Sequence, residues 1–175
     1  FIQGEDLDRD TARKMLGLPG DERLILVQLG GTRAGEELVY EAAAQALKHG
    51  LTPVVATGPR ARPRIPQGAY TIGYNPLLPK MLNAFDCAYT LAGLSTIASL
   101  AAAGVPAALK PLPGHFEQES NAVKAPRTWP GLFYSGSRPW EWLKDRCGSK
   151  HPVESLHRHP VNVARILSEA VNPPW

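Results

Sequence analysis

The stretch from Arg23 to Gly31, RLILVQLGG, is nearly continuous in apolar residues until two glycines stop it. A strand with one wet face alternates apolar and polar positions, so a run like this reads as a strand covered on both faces. The next segment, AGEELVYEAAAQALKHG, changes period. Leu38, Ala42, Gln45, Ala46 and His49 recur at helical spacing, acids fill the first turn, and Gly50 stands at the C-terminal stop. A buried strand that runs straight into a helix is half of a crossover unit, and crossover units build parallel sheets.

The same pattern repeats along the chain. TPVVATG reads as a second strand, YTIGY as a short third, NPLLPKMLNAF as a helix and CAYTLAG as a fourth strand. STIASLAAAG follows as a helix, VPAALKPL as a fifth strand and LFYSG as a sixth, with closing helices in RPWEWLKDR and PVNVARILSEAV. This alternation predicts an α/β fold: a doubly wound, Rossmann-like, mostly parallel sheet of about six strands with helices on both faces. At 175 residues the chain has the size of one domain, which buries about 70% of its unfolded surface. We place that domain at residues 23–175. Residues 1–22, FIQGEDLDRDTARKMLGLPGDE, begin without a methionine and read as a linker and leading helix from an N-terminal domain that this sequence lacks. No internal repeat is visible, and GPRARPRIPQG is the one long loop rich in Pro and Arg.

Composition narrows the function. Hydrophobic residues at 43% and charged residues at 20% are near the globular average. The net charge of +3 is modest, and the 7% of aromatic residues are not interleaved with the basic ones as a stacking platform requires, so we expect no nucleic-acid partner. Cys87 and Cys147 are the only cysteines, without CxxC or zinc spacing. They point to a reducing compartment, or to indifference to one, and to no disulfide framework. His151, His157 and His159 lie in a polar tail without regularly spaced carboxylates, so we expect no metal site. There is no apolar run of membrane-spanning length and no signal pattern.

In doubly wound sheets, ligands bind in the crevice beyond the carboxyl ends of the strands. Four predicted loops leave those ends: Gly30 to Gly35, Gly58 to Arg64, Ala92 to Thr96, and Leu112 to Asn121. In LGGTRAGEE, Gly30 and Gly31 either make the tight turn alone or also free backbone amides at a positive helix end for an anion. The spacing is neither GxGxxG nor a P-loop. In AGLSTIASLAAAGVP, Gly93 permits close backbone approach and Ser95 or Thr96 is expected to cap a helix of small residues. The first-turn amides of that helix suit a diphosphate, although simple capping of a buried helix fits as well. Ile97 occupies the place of the last glycine of a nucleophile elbow, which argues against a serine hydrolase. In PLPGHFEQESNA, Glu117 and Gln118 offer donors and acceptors suited to vicinal hydroxyls, and Asn121 braces the loop or caps the helix; a solvated helix start is the plainer reading. His115 either ligates, shuttles protons or is structural, and beside Pro-Gly the structural reading is favoured. Arg60, Arg62 and Arg64 either attract phosphate or stay solvated, and the second is favoured.

Taken together, AGLSTIASLAAAGVPAALKPLPGHFEQESNA resembles the C-terminal, nucleotide-sugar-binding half of GT-B-fold glycosyltransferases. It is similar in particular to the N-acetylglucosaminyltransferases of lipid II synthesis and to the UDP-glycosyltransferases. The likeness runs from about Leu24 to Ala122 and rests on Gly-Gly after the first strand, a helical segment ending in Asp86, the Gly93-x-x-Thr96 helix start, Gly104-x-Pro106, and the Glu117-Gln118-x-x-Asn121-Ala122 ending. The resemblance implies that Gly30, Gly31 and Thr32 border the cleft and that Tyr74 and Asn75 lie by the base. It further implies that Ser95 and Thr96 meet the diphosphate and that Glu117 and Gln118 hold the hydroxyls of the transferred sugar. It implies an NDP-sugar donor, UDP-sugar above all, no cofactor and no metal. The acceptor site and general base would lie on the missing N-terminal domain or a partner subunit. The location implied is cytoplasmic, with membrane contact only indirect, through the other half.

One position departs from the family. Where relatives carry the glutamate that grips the ribose, five residues before Gly104, this chain has Ser99. A hydroxyl makes one hydrogen bond in place of a bidentate charge-assisted pair, so ribose affinity should fall. Ser99 therefore keeps a second reading in view, a nucleotide-sugar-binding or regulatory module without turnover; the shared architecture alone leaves a third and weaker one, a nucleotide-sugar epimerase or hydrolase.

Overall fold

A computed structural model describes residues 7–30, 34–59 and 62–151. Its centre is β1, Leu24–Gln28, whose Leu24, Ile25, Leu26 and Val27 are all fully buried, as the unbroken apolar run requires. The other strands are β2 (Thr52–Ala56), β3 (Tyr70–Ile72), β4 (Cys87–Leu91), β5 (Ala107–Lys110) and β6 (Phe133–Tyr134). They form one sheet in the order β3-β2-β1-β4-β5-β6, and every pairing is parallel. The helices are α1 (Arg9–Leu16), α2 (Ala34–Lys48), α3 (Leu94–Ala103), α4 (Phe116–Thr128) and α5 (Pro139–Arg146). The doubly wound, Rossmann-like architecture is therefore the one expected. The closing helix expected within PVNVARILSEAV lies outside the described residues.

Successive residues of a strand face opposite sides, and the two sides of β1 meet different layers. Leu24 and Leu26 pack with Ile97, Leu100 and Ala101 of α3, and with Ala122 and Ala125 of α4. On the other side, Val27 meets Val39, Ala42 and Ala43 of α2, while Ile25 meets Ala46 of α2 and Leu143 of α5. The helical period read from the sequence thus places α2 correctly, and Gly50 follows it at φ 72°. The segment NPLLPKMLNAF departs from expectation in type. It forms a 3-10 helix, Leu78–Ala84, with Pro79 in its first turn and Leu78, Met81, Leu82 and Ala84 buried. Tighter winding brings residues three apart onto one face, which suits a short connector whose apolar positions are spaced by three and four.

The helix expected within residues 1–22 forms as α1 and sits on the body of the sheet domain. Asp8 caps it, its carboxylate accepting from the Asp10 and Thr11 amides at 3.0 and 2.9 Å. Gly17, at φ 66°, ends it. Arg13, 1% exposed, reaches inward: its guanidinium donates to Ala84, Pro19, Gly20 and Glu22 carbonyls and to Asp86 Oδ2 at 2.8 Å. The same Asp86 oxygen accepts the Leu24 amide at 2.8 Å. One carboxylate thus ties α1 to the first residue of β1, just ahead of β4. Burial pulls the Arg13 guanidinium below its ordinary value, and the Asp86 charge pushes it back up.

Candidate functional site

The strand order reverses direction between β1 and β4, where the connections leaving the two strands turn to opposite sides of the sheet and a crevice opens at the carboxyl edge. Gly30 leaves β1 at φ 83°, and a Cβ there would come within 3.2 Å of Leu91 Cδ1 at the end of β4. Glycine is therefore favoured chiefly by the backbone conformation, with the tight approach of Leu91 adding a smaller constraint. Gly31 and Thr32, expected beside it, lie outside the described residues, as does Arg60.

Beyond β4, Gly93 is the N-cap of α3, extended at φ −74° and ψ 136°, where a Cβ would make one ordinary contact, with Thr96 Oγ1 at 4.0 Å. This corrects the expectation that Ser95 or Thr96 caps the helix. A cap must be the last non-helical residue, and both already lie inside the first turn. No side chain caps α3 and no acid occupies its first turn. The amides of Leu94, Ser95 and Thr96 have no intrahelical acceptor, by the geometry of any helix start. Ser95 is exposed and Thr96 half-buried. The Ser99 hydroxyl donates to the Ser95 carbonyl at 3.0 Å, turned along its own helix.

The loop after β5 is built from its own side chains. Gln118 Oε1 accepts the Leu112 amide at 3.1 Å, and Glu119 Oε1 accepts the Gly114 amide at 2.9 Å. His115 is the N-cap residue of α4 without a side-chain capping bond, and Glu117 is exposed at the first turn. Of the pair expected to read hydroxyls, Gln118 therefore spends its oxygen on the loop and Glu117 faces solvent. The role of Glu119 was not read from the sequence. Acids and amides in the first turn after a Pro-Gly turn are the signal that points to it, since such side chains reach back to preceding amides.

The two loops are joined. Asn121, 7% exposed, donates from Nδ2 to the Ala92 carbonyl at 3.1 Å. Of its two expected roles it performs the bracing one and does not cap. Leu91 pairs with Lys110 at the ends of adjacent strands, so the Gly93 helix start and the Glu117–Gln118 turn open on the same edge. Tyr74 and Asn75 follow β3 farther along that edge. Tyr74 is 65% exposed, and Asn75 Oδ1 accepts the Leu77 amide at 2.9 Å. The described arginines of the long loop are elsewhere engaged: the Arg64 guanidinium lies 5.3 Å from the Tyr40 ring centre, and Arg62 also has a partner. His151 donates its backbone amide to Gly104, at the opposite edge of the sheet; His157 and His159 lie outside the described residues. Among the described residues no group of three His, Cys, Asp or Glu side chains could hold a metal, and no helix is long and apolar enough to cross a membrane.

No family model matches the chain. Curated proteins do. The UDP-N-acetylglucosamine--N-acetylmuramyl-(pentapeptide) pyrophosphoryl-undecaprenol N-acetylglucosamine transferase of Carboxydothermus hydrogenoformans is 35% identical over 128 residues, covering 66% of this chain and 34% of that protein. The transferase of the same name from Streptomyces avermitilis is 31% identical over 173 residues, covering 92% of this chain and 46% of its own length. The chain thus spans between a third and a half of these relatives. Among solved structures, a Medicago truncatula protein complexed with UDP-glucose superposes with a TM-score of 0.57 at 18% identity, over 99% of this chain and 42% of that one. At that identity the likeness concerns the fold.

Proposed function

Because the chain is a GT-B glycosyltransferase domain, homologous to the N-acetylglucosamine transferases just described, we propose that it is the nucleotide-sugar-binding half of a metal-independent glycosyltransferase. The donor is an NDP-sugar, with UDP and an N-acetylhexosamine favoured by the curated relatives. The acceptor and the general base are supplied by a further domain or a partner subunit. The observation that carries this reading is the Asn121–Ala92 hydrogen bond, which locks a helix start bare of acids beside a turn rich in hydroxyl-binding groups.

In this reading the diphosphate lies at the α3 start, with Gly93 leaving room for it and the Leu94, Ser95 and Thr96 amides donating to it. The Ser95 and Thr96 hydroxyls add donors. As the glycosidic bond breaks, negative charge grows on the departing diphosphate. Fixed amide dipoles at a helix N-terminus stabilise that charge without reorganising, which is worth about 10²–10³ in rate per well-placed donor. A divalent cation is then unnecessary. Glu117 accepts from hydroxyls of the transferred sugar, while Gln118 shapes the turn through its oxygen and offers its amide hydrogens to the sugar. Gly30, with Gly31 and Thr32, borders the cleft on the β1 side, and Tyr74 and Asn75 take the base.

Titration calorimetry of the chain with UDP, TDP and UDP-N-acetylglucosamine tests the proposal. Micromolar binding that is insensitive to EDTA, and that weakens at least tenfold in Glu117→Ala for the sugar nucleotide but not for UDP, is expected. Absence of binding to all three at millimolar concentration would sink it. A second reading, a nucleotide-sugar-binding module without turnover, is favoured by one observation: Ser99 presents a hydroxyl committed to Ser95 in place of an acid. Donor binding without sugar transfer or hydrolysis by the complete protein would select it.

A further inference from the structure

At the amino edge of the sheet, away from the crevice, two segments 60 residues apart are drawn side by side. The Gly148 amide donates to the Asp86 carbonyl at 2.9 Å, and Arg23 holds the Lys144 carbonyl at 2.9 Å and the Cys147 carbonyl at 3.4 Å. Lys150 Nζ adds a bond to the Asn83 carbonyl at 2.8 Å, and the His151 amide one to Gly104. The residues flanked by these bonds are Cys87, the fully buried first residue of β4, and Cys147, the half-buried residue that closes α5. Their sulfur atoms are 2.6 Å apart. A covalent S–S bond is about 2.05 Å, so closing it needs a shift of roughly half an ångström.

We infer that Cys87 and Cys147 form a reversible thiol–disulfide pair, a redox modification site that clasps the end of α5 to the foot of β4. The oxidant is a low-molecular-weight disulfide, and the order of steps follows from exposure. The Cys147 thiolate, the accessible one, attacks one sulfur of the small disulfide, forming a mixed disulfide and releasing one thiolate. Cys87 then loses its proton and attacks the Cys147 sulfur, forming the Cys87–Cys147 bond and expelling the second thiolate, which takes up a proton. Two protein thiols are oxidised and one small disulfide is reduced to two thiols. Burial pushes the Cys87 thiol well above its ordinary value, and the neighbouring Cys147 adds to this, so Cys87 serves as the resolving group and not as the first attacker.

A link across 60 residues restricts the unfolded chain strongly, lowering the unfolded-to-folded ratio by about three orders of magnitude in the loop-entropy description. The site is at the opposite edge from the crevice, so the inference stands independently of the proposed function. The experiment incubates the full chain with oxidised glutathione, then measures intact mass, maps peptides without reduction, and follows urea unfolding. Loss of the mass of two hydrogens, a cross-linked Cys87–Cys147 peptide, a raised urea midpoint reversed by dithiothreitol, and none of these in Cys147→Ser are expected. A chain that stays folded by circular dichroism while both thiols remain open to iodoacetamide after unfolding, or that stops at a glutathione adduct on Cys147, would overturn the inference.

Discussion

Replacing Arg13 by Ala tests the account of how α1 is held. Arg13 is 1% exposed and its guanidinium serves five oxygens: four backbone carbonyls at 2.7–3.0 Å and Asp86 Oδ2 at 2.8 Å. Truncation strands the Asp86 carboxylate, 8% exposed as a residue, with the Leu24 amide and with Arg9, whose guanidinium is 3.5 Å away and whose side chain is 42% exposed. Arg9 cannot take over the charge at that distance and exposure. Removing one partner of a buried pair costs about 3–5 kcal/mol, even though the pair as a whole adds little over an apolar replacement. Against a typical total of about 5–15 kcal/mol this is about a fifth of the stability or more. With a urea slope of about 2 kcal/mol per molar, the midpoint should fall by about 2 M. Arg13→Lys should recover only part of the loss, because a single ammonium cannot span the same fan of acceptors. Far-UV circular dichroism along a urea series measures both. A loss below about 1 kcal/mol for Arg13→Ala, at an unchanged slope, would show that water reaches Asp86 and that the pair behaves as a surface one.

Three further outcomes are expected. Asp8→Ala removes the carboxylate that caps α1 and should cost about 1 kcal/mol in the same urea assay, the ordinary value for an N-cap; no change would mean that α1 is held by its packing alone. Gly30→Ala places a Cβ at φ 83°, 3.2 Å from Leu91 Cδ1, and should cost about 1–2 kcal/mol, mostly backbone strain, since a leucine terminus can give way; a neutral result would contradict the left-handed turn after β1. Ser99→Glu should tighten UDP binding about fivefold by calorimetry, the equivalent of about 1 kcal/mol from a charge-assisted bond to the ribose. Unchanged affinity in a folded variant would place residue 99 away from the ribose.

The sequence made the sheet legible because Leu24 to Val27, buried on both faces, read as a covered strand and the alternation of such runs with helical segments pointed to parallel crossovers. Helix α2 was legible for the same reason, with its apolar period matching the face that meets Val27 and Val55. Local conformations within one turn were harder. Whether Gly93, Ser95 or Thr96 caps α3 depends on a single residue's backbone angles, and hydroxyl side chains in a first turn look the same in sequence whether they cap or not. The pairing of Arg13 with Asp86, across 73 residues, and of Cys87 with Cys147, across 60, left no local trace, because chain folding and not spacing brings them together. Of the site, the loops and their shared edge could be read from topology. That Gln118 would turn its oxygen to Leu112 could not, since the same amide chemistry serves a sugar hydroxyl or a backbone N–H equally well.

The bond from Asn121 to Ala92 means that the two loops cannot shift independently. In the proposed donor site, a molecule anchored at one end would therefore find the opposite end already ordered, and the entropy of fixing the frame would not be charged twice. Substitutions made singly at the Gly93 start and at the Glu117 turn should consequently sum to something different from the double replacement. The size of that discrepancy in a thermodynamic cycle measures how stiffly the asparagine couples the two halves of the grip.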